Sequence, residues 1–151
     1  MAKPDVSPRF CVDYRRLNDV TVKDTYSLPR MEDCIEFLSE ASVFSMLDCE
    51  SGYWQIPVAV EDQNKTTFTC HDGTYKYIRL PLGLTNAPAT FQRAIGIILS
   101  GVKWKTCLVY LDDVIVFSRT VEKHITRPDE VFGLFSRAGV SLKASKCILF
   151  H

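Results

Sequence analysis

Asp112 and Asp113 stand side by side between two apolar runs in "CLVYLDDVIVFS" (107–118), and Asp48 closes a third apolar run, "SVFSMLD" (42–48), 64 residues before Asp112. Adjacent carboxylates repel each other and lose solvation where neighbouring strands bury them. Two readings of the pair stay open. Aspartate is a good turn former and an exposed tip carries charge cheaply, so Leu111-Asp112-Asp113 suits a tight turn. If the run ending at Asp48 lies beside the other two, three carboxylates instead meet at one sheet edge and require a cation. Hard oxygen donors without His or Cys select Mg²⁺ or Mn²⁺ over zinc. Two such ions a few ångströms apart lower the pKa of an attacking hydroxyl and stabilise charge on a phosphoryl group undergoing in-line displacement.

The elements that must position these residues are legible in the periodicity. "RFCVDY" (9–14) alternates and predicts a strand. After Pro29, Met31, Ile35 and Leu38 fall at helical spacing, and residues 42–48 read as a buried strand. Residues 65–80 predict a hairpin turning at Asp72-Gly73. Asn86 or Thr85 can cap a helix with Pro88 in its first turn, Phe91, Ile95 and Ile98 on its apolar face and Gly101 at its end. "KTCLVYL" and "DVIVFS" are two strands joined at the aspartates, and residues 121–138 read as a helix closed by Gly139. Pro128 removes a backbone bond inside that helix and predicts a kink or break. "KCILF" (146–150) predicts a last strand. The sum is an α+β domain, its helices packed on one face of an antiparallel sheet.

At 151 residues, 46% hydrophobic and 24% charged, the chain can bury one core, and it carries no repeat or linker. No apolar run reaches the ~20 residues of a membrane span, and "MAKPDVSPRF" lacks the apolar stretch of a signal peptide. The expectation is an intracellular protein, cytoplasmic, particle-associated or nuclear, without a membrane partner. The six cysteines are widely spaced with no CxxC pair, which argues against a zinc framework or disulfide scaffold and for reduced core residues. Net charge is zero, yet residues 1–75 hold 7 Lys/Arg and 13 Asp/Glu, whereas 76–151 hold 11 and 5. Residues 31–62 contain eight acids and no base; 73–111 contain five bases and no acid. Such segregation suits a molecule that handles a polyanion beside a cation-requiring acidic site, and equally a solvated basic face.

Four motifs in order, "RFCVDYRRLN", "VFSMLDCESGYWQI", "LPLGLTNAPATFQR" and "YLDD", resemble the reverse transcriptases of gypsy-type long-terminal-repeat retrotransposons and retroviruses, from about Arg9 to Phe150. The resemblance implies a right-hand polymerase with a ferredoxin-like palm, of which residues 1–151 supply fingers and palm while thumb, connection and RNase H are not included. It implies that Asp48, Asp112 and Asp113 are the metal-binding catalytic aspartates for two Mg²⁺ ions (Mn²⁺ as a substitute), with the carbonyl of Cys49 a further ligand. It also implies that Arg9 grips the incoming triphosphate, with Lys3 near it, and that Tyr53 leaves no room for a ribose 2′-hydroxyl. Leu82, Gly83, Pro88, Phe91 and Gln92 then flank the nucleotide pocket and template, although the phase of Phe91 with Ile95 and Ile98 suits the core and Gly83 suits a close backbone approach.

The implied activity is RNA-directed DNA polymerisation, with an RNA or DNA template, a DNA primer and deoxynucleoside triphosphates as partners. Pro4, Val6 and Pro8 depart from the family's fingers-tip turn, Trp54 stands where His is frequent, and Leu82 where Phe is frequent. Two alternatives remain at this point: a retrotransposon-derived remnant that binds nucleic acid or a partner without catalysis, and a carboxylate-clustered nuclease. Oligomeric state is left open.

Overall fold

The computed structural model describes residues 10–151; Lys3, Arg9 and the fingers-tip departures lie outside the described residues. The elements run α1 (Arg15–Val20), α2 (Met31–Leu38), β1 (Val43–Asp48), α3 (Val60–Gln63), β2 (Phe68–Cys70), β3 (Gly73–Tyr75), α4 (Ala87–Ile98), β4 (Cys107–Tyr110), β5 (Asp113–Ser118) and α5 (Val121–Ala138). β1, β5 and β4 form one antiparallel sheet in that order, and β2 and β3 form a separate hairpin. Of the two apolar runs around the aspartates, β5 is thus the central strand, as a β-branched, buried segment should be, and β4 lies at the edge.

Side chains alternate across this sheet. Leu47, Val109, Val114 and Val116 point to the face covered by α4 and α5, where they pack with Phe91, Ile95, Val131 and Phe135 in the main core. A small cluster of Cys34, Leu108 and Phe117 sits on the opposite face beneath α2. That helix forms where its spacing predicted, but it turns Cys34 inward and leaves Met31 and Ile35 exposed. Its inward face is set by the Trp104 and Phe117 rings, against which its own Phe37 packs edge-on.

Of the kink or break expected at Pro128 there is no break: α5 is continuous through it. His124, Pro128, Val131 and Phe135 make one continuous buried stripe, Thr120 accepts from the Lys123 N–H at one end, and Gly139 closes the other at φ 70°. Burial of that stripe at ~1.5–3 kcal/mol per large apolar side chain outweighs the ~3 kcal/mol cost of an interior proline. His124 also pins the helix to the sheet, with Nε2 2.7 Å from Ser45 Oγ and Nδ1 2.9 Å from Ser118 Oγ.

Other expectations are corrected. Residues 10–14 form no strand. The Asp13 carboxylate accepts from the Arg15 N–H at 3.0 Å, which turns the chain into α1. "KCILF" does run along β1, with Ile148 paired to Met46 and His151 to Phe44 through reciprocal backbone bonds of 2.7–3.0 Å. One β1 residue, Ser45, faces two edge residues, Leu149 and Phe150, so the ladder carries a bulge, with Phe150 at φ 54°. The β2–β3 turn is His71-Asp72, one residue earlier than expected. Asn86 precedes α4, but its side chain bonds the Asp24 N–H and the Val22 carbonyl rather than capping; α4 ends at Ile98, three residues before Gly101. Cys34, Cys49 and Cys107 are buried thiols, Cys147 is half-buried, and Cys11 and Cys70 are exposed.

Candidate active site

The register of the sheet decides the position of the aspartates: Asp48, the last residue of β1, is the direct partner of Asp113, the first of β5. Asp112 lies in the two-residue connection, Leu111-Asp112, that joins β4 to β5. All three carboxylates therefore occupy one end of the sheet. Among the described residues their carboxylate oxygens do not all lie within 4.8 Å of one another.

The hairpin tip is held from below. Leu111 takes φ 53°, a left-handed conformation that costs a β-carbon residue about 1–2 kcal/mol. Its N–H donates to Gln92 Oε1 at 2.7 Å, while Gln92 Nε2 donates to the Val109 carbonyl at 2.9 Å. Gln92 is fully buried on α4, beneath the hairpin rather than in the cavity, so its amide acts as a clamp on the strand that carries the aspartates. Phe91, its neighbour, is core, as its helical phase required.

A cavity of about 440 Å³ opens beside the aspartates, lined among others by Asp48, Asp112, Gly52, Tyr53, Trp54, Leu82, Lys143 and Lys146. Tyr53 is braced edge-on against Phe91, with ring centroids 5.6 Å apart, and Trp54 against Tyr77 at 5.3 Å. Gly83 does not line the cavity. At φ +95° it turns the adjoining loop, clamped by Asn18, which donates to the Gly83 carbonyl at 2.8 Å and accepts from the Thr85 N–H at 2.9 Å. Asp113 is not among the residues that line the cavity, and Arg9 lies outside the described residues.

The electrostatics are those of an anion-rich pocket. Burial, then the neighbouring Asp113 and Asp48 carboxylates, push the Asp112 carboxyl above the ordinary carboxylate range, and Lys146 opposes them. Lys146 Nζ lies 3.4 Å from Asp48 Oδ2. Burial and the same aspartates push the Cys49 thiol up to about 12, so it stays protonated and offers no thiolate ligand. Burial, then Asp112, also raise Tyr53. The aspartate donor set is all oxygen, which fits hard divalent cations such as Mg²⁺ and not a thiophilic metal.

Sequence reasoning missed Gly52, Lys143 and Lys146. A β-carbon on Gly52 would stand 3.0 Å from Asp112 Oδ1 and 3.6 Å from Phe91, so any larger residue at this position in the 52–55 turn would press on the Asp112 carboxylate. The Lys143 N–H donates to the Asp48 carbonyl at 2.9 Å, which brings both lysines to the site from the far end of the chain. The "ESG" after Asp48 was the available signal for Gly52; the lysines had none.

Comparisons with known proteins bear on the family and the fold. The family model described as reverse transcriptase (RNA-dependent DNA polymerase) matches residues 1–151. The chain is 40% identical over 149 residues to a retrovirus-related Pol polyprotein from transposon 297 of Drosophila melanogaster, covering 96% of the chain and 14% of the polyprotein. It is 40% identical over 124 residues to an RNA-directed DNA polymerase homolog of Oenothera berteroana, covering 80% of the chain and 87% of that protein. A foamy viral protease-reverse transcriptase solved in complex with double-stranded DNA superposes with a TM-score of 0.89 at 26% identity, over 100% of this chain and 26% of that one. Another, in complex with an RNA/DNA hybrid, superposes at 0.79 over 91% of this chain and 18% of that one. The chain thus spans a small part of the polyproteins and viral enzymes it matches.

Proposed function

The chain belongs to the reverse transcriptase family, and from that premise we propose that its aspartate edge is the catalytic centre of a polymerase that adds deoxynucleotides to a DNA primer on an RNA or DNA template. The observation that carries this reading is the pairing of Asp48 with Asp113 across β1 and β5, with Asp112 adjoining. Asp48, Asp112 and Asp113 would hold two Mg²⁺ ions, for which Mn²⁺ can substitute. When bound, the ions lower the pKa of the primer 3′-hydroxyl and neutralise charge on the phosphates.

The chain's own residues position and select. Gln92 fixes the height of the Asp112–Asp113 tip through its two backbone bonds. Tyr53, braced by Phe91, presents a fixed ring in the cavity wall, a steric barrier to a ribose 2′-hydroxyl. Leu82 also lines the cavity, and Gly83 at φ +95° turns the loop that carries it. Lys143 and Lys146 place positive charge at the rim, suited to a triphosphate. Arg9 is assigned the same ligand, for which a guanidinium's fork of donors is apt.

The test is Mg²⁺-dependent extension of a DNA primer on an RNA template by this chain and by its Asp112→Asn variant. Incorporation that vanishes in the variant supports the reading. A folded chain that extends nothing overturns catalysis by residues 1–151 alone and leaves a module that binds nucleic acid; degradation of nucleic acid without added nucleotides would instead mark a nuclease.

A further inference from the structure

Away from the aspartates, the β2–β3 hairpin ends in three consecutive side chains with metal-binding atoms: Cys70, His71 and Asp72. Among the described residues, this is the one group of three His, Cys, Asp or Glu side chains whose donor atoms all lie within 4.8 Å of one another. His71 Nε2 and Asp72 Oδ2 are 3.1 Å apart. Donors about 2.0–2.3 Å from a tetrahedral ion stand roughly 3.3–3.8 Å from each other, so an exposed thiol has only a small rotation to make. None of the three lines the aspartate cavity.

Several contacts tie the two short strands of the hairpin together. Cys70 pairs with Gly73 across the turn, and Gly73 takes φ +146°. One rung down, Thr69 and Thr74 join hydroxyls at 3.1 Å, and below them the Phe68 and Tyr75 rings stack at 5.9 Å. The donors are therefore presented from a fixed register, and the entropy of gathering them is largely spent in folding.

We propose that Cys70, His71 and Asp72 form a surface site for a single borderline transition-metal ion, Zn²⁺ or Co²⁺ in type. A mixed sulfur, nitrogen and oxygen set prefers such ions to Mg²⁺. Three protein ligands leave one position open for water or a donor from a bound partner. Binding replaces the thiol proton, which is released to solvent, and uses the neutral imidazole.

The experiment is a Co²⁺ titration of the whole chain, followed by its thiolate-to-cobalt charge-transfer absorption, with Cys70→Ser, His71→Ala, Cys11→Ser and Asp112→Asn compared in parallel. The turn is exposed, so these variants should keep the fold, as circular dichroism will report. The expected result is a band saturating at one equivalent, absent in Cys70→Ser, weakened by at least the roughly 10–100-fold that loss of even an outer partner costs in His71→Ala, and unchanged in the other two. A band that survives Cys70→Ser, or that vanishes in Cys11→Ser, overturns the assignment, as does no band at all. The Asp112→Asn arm separates this outcome from the fate of the polymerase reading.

Discussion

Gln92→Met tests whether the active-site hairpin is held from α4. Methionine keeps the length and nearly the volume of glutamine, so the fully buried position stays filled and the substitution removes only the hydrogen bonds to Leu111 N–H at 2.7 Å and Val109 C=O at 2.9 Å. Two bonds at ~1 kcal/mol net each, together with the desolvation penalty on the backbone group that water cannot reach, give a loss of about 2–4 kcal/mol. For a domain of this size that is a fall in Tm of about 4–16 °C. The assay is urea and thermal unfolding of both proteins. Leu111→Gly provides the internal control, because it relieves the left-handed strain at φ 53° that the Gln92 bond resists. If the clamp acts through Leu111, Gln92→Met should cost less in the glycine background, a coupling of about 0.5 kcal/mol or more. If the chain extends primers, the same substitution should lower kcat far more than it raises KM, since a 1 Å displacement of the tip costs ~100-fold. A stability loss below about 0.5 kcal/mol, or strict additivity with Leu111→Gly, would refute the clamp.

Gly52→Ala should spare the fold and injure the site, because its β-carbon would meet Asp112 Oδ1 at 3.0 Å; Tm should move little while Mg²⁺-dependent extension falls about tenfold or more. Asp112→Asn should abolish extension yet raise the Tm measured in chelator, since it removes an anion crowded by Asp113 and Asp48, and the gain should shrink as salt screens the repulsion; a lower Tm would contradict the repulsion argument. Burial, then Arg127, depress the His124 pKa below its ordinary 6.5, so the unfolded chain binds this proton before the native one does. Stability from this group is complete above pH ~6.5 and declines as pH falls from there toward the depressed native value. His124→Gln should flatten that part of a stability–pH profile, and an unchanged profile would show that the buried imidazole does not drive it.

Much of this protein is written in one dimension. Period-two and continuous apolar runs mark β1, β4 and β5, period-3.6 runs mark α4 and α5, and two carboxylates at the end of such strands mark a site before any fold is known. These signals are legible because each arises from the local geometry of a strand or helix. The alternating residues 10–14 look like a strand by the same rule, yet form none, because Asp13 captures the Arg15 N–H. α2 obeys its period but rotates Cys34 inward because Trp104 and Phe117 wait there for its Phe37. Pro128 stays helical because a buried stripe along α5 outweighs its local cost.

The site divides in the same way. That Asp48, Asp112 and Asp113 are candidates for one site is a matter of residue type and spacing, whereas their meeting at one sheet end is a matter of register, in which a slip of a single residue would turn Asp48 to the other face. The clamp by Gln92, the clearance at Gly52, the lysines at the rim and the gathered donors of Cys70, His71 and Asp72 came only with tertiary structure. Each depends on a distance between side chains set by packing and turn geometry, a quantity that no local period encodes.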